Sequence, residues 1–107
     1  MTPDRLFEKR WAVAVVERAQ GRLRQEYDAA NKLPLFDQLK EHVWGDRADA
    51  YRELAARLNA TEGALRIAAH RMKERFRSLL REEVAHTAAS ADEIDAELRY
   101  LVSLLRT

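Results

Sequence analysis

Between positions 66 and 77 stand Arg66, Ile67, His70, Arg71, Lys73, Arg75 and Arg77, side chains whose types and spacing suit contact with nucleic acid. Guanidinium and ammonium groups pair with phosphate oxygens, which needs only positive charge and reach. Base reading is stricter, because the side chain must sit near a helix start and meet a groove edge with fixed geometry. At about 100° per residue, Arg66, His70, Lys73, Arg77 and Arg81 fall on one side of a helix, while Arg71 and Arg75 flank it from the opposite edge. Two basic edges could straddle a groove, with Arg66, Ile67 and His70 as the base-facing candidates. Ile67 lies among polar neighbours, where it could meet a thymine methyl or another helix. The plain alternative is that the arginines only solvate an amphipathic helix. His70 suits a polar contact better than proton transfer.

Such a helix needs an anchor, and Leu65, Ala69, Met72, Phe76, Leu79 and Leu80 gather on its remaining side. It also needs a companion. Tyr51, Leu54, Ala55 and Leu58 write a preceding helix, Asn59 and Ala60 a turn, Thr61 an N-cap and Glu62 an acidic first turn. Residues 50–81 therefore read as a helix-turn-helix, with the second helix continuing to about His86. Upstream, Thr2-Pro3-Asp4 is a helix start. Leu6, Phe7, Trp11, Ala14, Val15, Ala19 and Leu23 then recur at helical spacing, widened by Val13 and Val16, to an end near Asn31. Pro34 opens a second helix with Leu35, Phe36, Leu39 and Val43 as its stripe, closed by Trp44 and Gly45 before a charged loop over 46–49. After a break at 87–90, Ser90-Ala-Asp-Glu93 is a capping box for a last helix over about 91–106. Ile94, Leu98, Leu101 and Leu105 share one of its faces, which either packs on the domain or serves as an arm for a partner. The expectation is an all-α fold of about five helices in a single domain spanning 1–107.

Composition agrees with helices. Only two prolines and three glycines interrupt 107 residues, and a chain of this length can bury a core without metal or disulfide staples. The absence of cysteine removes thiolate metal sites and thiol nucleophiles, and fits a cytoplasmic protein. No apolar run approaches the roughly 20 residues that span a bilayer. The net charge of +1 conceals a segregation: residues 62–81 carry six basic and two acidic groups, and residues 82–107 two basic and six acidic. A basic helix precedes an acidic tail, and the segment 82–97 could fold near that helix and compete with DNA.

Catalysis has little to work with. His42, His70 and His86 are widely separated, and the latter two lie too far apart along one helix to share a metal. Ser78, Ser90 and Ser103 stand in helical or capping contexts, no glycine-rich phosphate loop occurs, and Glu82 and Glu83 read as solvated surface. No enzyme, metal or cofactor is expected.

The segments Tyr51-Arg-Glu-Leu-Ala-Ala-Arg-Leu, Thr61-Glu-Gly-Ala-Leu-Arg and His70-Arg-Met-Lys-Glu-Arg-Phe-Arg resemble the C-terminal DNA-binding domain of bacterial RNA polymerase sigma factors, nearest to the extracytoplasmic-function group. Phe7-Glu-Lys-Arg-Trp-Ala, Ala85-His-Thr and Asp95-Ala-Glu-Leu-Arg-Tyr-Leu extend the likeness over most of the chain. The resemblance implies that the domain, called region four, sets the second helix of the helix-turn-helix into the major groove of the promoter −35 element. It transfers that role first to Arg66, places His70 and Arg71 near DNA, and makes Lys73, Arg75 and Arg77 the basic continuation. Many members carry serine and arginine where this chain has Ile67 and Ala68, so the promoter sequence read would differ. The resemblance also implies docking of the polymerase β flap on exposed residues of 35–43 and 51–58, an anti-sigma protein as a further partner, and an upstream polymerase-clamp domain in a longer native protein. Two rivals stand beside it: a stand-alone dimeric helix-turn-helix regulator on paired half-sites, and a noncatalytic interaction module whose basic face takes an acidic partner.

Overall fold

A computed structural model describes residues 3–44, 51–86 and 91–105, with side chains described at 7–41, 51–86 and 92–103. Among the described residues the chain is all-α and holds five helices: α1 (Pro3–Ala29), α2 (Leu33–Trp44), α3 (Tyr51–Leu58), α4 (Glu62–Ala85) and α5 (Ala91–Leu105). The expected cap at Thr2, Gly45 with the 46–49 loop, and the 87–90 break with Ser90 lie outside the described residues. So do the side chains of Leu6, His42, Val43, Trp44 and Leu105.

The two short connections are built alike. Asn31 and Asn59 take left-handed backbone with φ of 58° and 52°, a conformation asparagine tolerates better than most side chains. After Asn31, the Lys32 amide donates to the Tyr27 carbonyl at 2.7 Å, and the Asn31 amide donates to Asp28 at 3.0 Å. After Asn59, the Ala60 amide donates to the Ala55 carbonyl at 3.0 Å. These are Schellman-type endings, which satisfy carbonyls that a helix terminus otherwise leaves unpaired. The next helix starts at once: Thr61 Oγ1 accepts from the Ala64 amide at 3.0 Å and its carbonyl from the Leu65 amide at 3.1 Å, an N-cap worth about 1 kcal/mol.

The chain divides into two compact units, and α1 and α4 supply residues to both. The first comprises Met1–Leu23 and Arg77–Thr107. Its core is Ala12, Val15, Val84 and Leu101, with Trp11, Val16, Leu80, Ile94 and Leu98 packed against them. The apolar face of α5 is therefore used in packing. Ion pairs line the same unit: Glu83 accepts from Arg18 at 3.2 Å and Arg22 at 3.4 Å, Glu82 pairs with Arg22 at 2.9 Å, and Arg81 pairs with Asp95. The Tyr100 hydroxyl meets the Glu8 carboxylate.

Here the periodic reading of α1 needs correction. Phe7 is 75% exposed, and Ala12 is fully buried. Apolar residues repeating every fourth position drift by about 40° per step on a helix, so Phe7 lies about 160° round from Leu23. The buried stripe is Ala12, Val15, Ala19 and Leu23.

The second unit, Arg24–Phe76, buries Phe36 and Leu39 of α2, Tyr51, Leu54 and Ala55 of α3, and Leu65, Ala69 and Met72 of α4. Tyr27 packs on Phe36 with ring centres 5.5 Å apart. Burying each large aliphatic side chain contributes about 1.5–3 kcal/mol, so α4 is held by its buried face.

Candidate nucleic-acid interface

Helix α4 separates its residues cleanly. Leu65, Ala69, Met72 and Leu79 are buried and Phe76 and Leu80 partly so, while Arg66, Ile67, His70, Arg71, Lys73, Arg75 and Arg77 are all exposed. Ile67 is 56% exposed. It faces water from the middle of a polar surface and contributes nothing to the core, so its side chain is open to a ligand.

Each cation on this face is held differently. The Arg66 guanidinium lies over the Tyr51 ring, 4.9 Å from its centre, a cation–π contact that keeps the side chain at the α3–α4 corner. Arg52 and Glu62 pair across the same corner at 3.7 Å. His70, Arg71 and Lys73 form no ion pair with a described residue. Arg75 gives both its Nε and Nη2 protons to Glu26 at 2.7 and 2.6 Å, a two-pronged bond to the last turn of α1. Arg77 lies further along the same helix, in the stretch that belongs to the first unit, as does Arg81, whose guanidinium is taken by Asp95. Three of the six acidic groups after position 81 thus serve packing contacts: Glu82 and Glu83 fix α4 to α1, and Asp95 fixes α5 to α4.

On the Arg71 side, a cleft of about 270 Å³ opens among Glu26, Tyr27, Lys32, Leu35, Ala68 and Arg71. Burial, and then the neighbouring Glu26 carboxylate, push the Tyr27 phenol above the ordinary tyrosine range, so it stays a neutral donor. Three participants here were not singled out from sequence. Tyr51 reads in the sequence as one of the periodic residues of the helix before the turn, and Glu26 and Lys32 lie 49 and 39 positions from Arg75 and Arg71, too far for any helical periodicity to connect.

Among the described residues, no three His, Cys, Asp or Glu side chains gather closely enough to hold a metal ion. No described helix is long and apolar enough to cross a membrane. Comparison of the chain with protein-family models, with curated proteins and with solved structures gives no match.

Proposed function

We propose that the chain binds duplex DNA noncatalytically through the exposed face of α4, in the cytoplasm, and acts as the −35-reading, polymerase-docking domain of a sigma factor. The observation that carries DNA binding is the division of α4: one face buried in a core, the other presenting Arg66, Ile67, His70, Arg71 and Lys73 to solvent along the first half of the helix. A helix of this kind fits a major groove with its first turns against base edges. Arg66 and His70 are the base-reading candidates, Ile67 meets thymine methyls, and Arg71, Lys73 and Arg77 take phosphates. The narrower sigma assignment, with β-flap docking on 35–43 and 51–58 and release from an anti-sigma protein, rests on the resemblance of the 51–77 segments.

Duplex binding measured by fluorescence anisotropy across a salt series tests the reading. Each neutralised phosphate contributes about −0.9 to the slope of log K against log salt, so three contacts give a slope near −3. A flat response rules it out. Binding that requires core polymerase, by a monomeric chain, supports the sigma assignment; a dimer binding palindromic half-sites without polymerase replaces it with a self-contained regulator.

A further inference from the structure

We propose that Lys32, at the start of α2, is a DNA-phosphate contact that works with Arg71 on the flank of α4, in the place that the spacing alone would give to Arg75. The inference rests on the duplex-binding reading and extends its surface beyond α4. Lys32 and Arg71 line one cleft, and neither side chain is paired with an acid among the described residues. The one carboxylate in the cleft, Glu26, has both oxygens occupied by Arg75. That pair cancels its own charge and leaves Lys32 and Arg71 as an uncompensated +2. The remaining acids close in sequence do not relieve it: the first turn of α2 carries none, Asp37 pairs with Lys40 at 3.5 Å, and Asp28 does not line the cleft. Two like charges around one concavity repel each other and lower the free energy of an anion placed between them. A phosphodiester of the strand beside α4 supplies that anion with the required reach. Arg75, turned into the α1 contact, acts instead as the neutraliser that keeps Glu26 from repelling the strand.

The same chemistry could come from free phosphate, so the experiment separates the two sources. Chains carrying Lys32→Ala, Arg71→Ala and, as a control on α1, Arg10→Ala are titrated with 20-base-pair duplexes of several sequences over a salt series. In parallel, inorganic phosphate is titrated while the Lys32 and Arg71 side-chain NMR signals are followed. Circular dichroism checks that each exposed substitution leaves the helices intact. Lys32→Ala is expected to weaken binding roughly threefold to tenfold, equally for every sequence, and to reduce the salt slope by about 0.9. Arg10→Ala should leave both unchanged. If Lys32→Ala matches Arg10→Ala while the unaltered chain binds duplex and Arg71→Ala weakens it, the inference is overturned and the DNA reading stands. Saturable phosphate binding at Lys32 with no effect of Lys32→Ala on duplex affinity overturns it in favour of a free-anion site. Failure of the unaltered chain to bind any duplex at low salt, both alone and with core polymerase, overturns both.

Discussion

The Arg66 guanidinium rests 4.9 Å from the centre of the Tyr51 ring, so a buried aromatic in α3 holds an exposed cation in the first turns of α4. Such contacts are worth about 0.5–1 kcal/mol at exposed sites, enough to favour one side-chain position several-fold. Tyr51→Phe keeps the ring and should keep DNA sequence preference. Tyr51→Leu removes the aromatic face and should relax discrimination at the base pair proposed to meet Arg66 by up to about fivefold. Competition binding with single-base-pair variants of the preferred duplex measures this; equal discrimination by both variants removes Tyr51 from the positioning role.

The Arg75–Glu26 pair sets stability against affinity. Both partners are more than a third exposed, and exposed pairs contribute about 0.2–1 kcal/mol. Glu26→Gln should therefore cost no more than about 1 kcal/mol in a denaturant melt. It also removes a negative charge beside the phosphate path and frees a guanidinium, so duplex affinity at low salt should rise, roughly threefold or more. A fall in affinity with unchanged stability would contradict this arrangement.

Tyr27 gives stability a pH dependence in the alkaline range. Its phenol is raised in the folded chain, first by burial and then by Glu26, whereas in the unfolded chain it titrates near pH 10. Below that pH both states hold the proton and stability is unaffected. Above it the unfolded chain loses the proton first, the folded chain binds more protons, and stability falls until the folded phenol also ionises. Tyr27→Phe should lose this component, so its stability should drop less between pH 9 and 11 than that of the unaltered chain. Equal drops in thermal melts at those two pH values would exclude the effect.

Gly21 lies within α1, and a Cβ built there meets nothing within 4 Å. Replacing it with alanine removes backbone freedom from the unfolded chain without strain in the helix, for a gain of about 0.5–1 kcal/mol. For a chain of this size that corresponds to a rise of several degrees in Tm, on the order of 4 °C. A scanning calorimetry trace with no rise would indicate that Gly21 makes a close contact in solution.

The all-helical fold was readable because its determinants are local. The helix end expected near Asn31 and the turn expected at Asn59 fall on residues with left-handed backbone, and the start expected at Thr61 falls on a capping hydroxyl. The anchor of α4 was readable for the same reason, since Leu65, Ala69 and Met72 repeat at three and four. Two things escaped. The phase of α1 drifts along its length, so spacing admitted Phe7 and overlooked Ala12, which is buried in the cluster with Val15, Val84 and Leu101. Long-range pairing escaped altogether: Arg75 shares its edge of the helix with Arg71, and only the fold brings Glu26 against the one while leaving the other without an ion pair among the described residues.

On α4 the residues that hold the helix and the residues offered to solvent are different sets. Substitutions at exposed positions usually change stability by less than about 0.5 kcal/mol, against the several kcal/mol that a buried leucine commands. Under the proposed DNA-reading role, positions 66, 67 and 70 could therefore change, and a lineage could replace one target sequence with another through folded intermediates at every step. That role would make recognition evolvable on a single helix whose inward face must stay fixed.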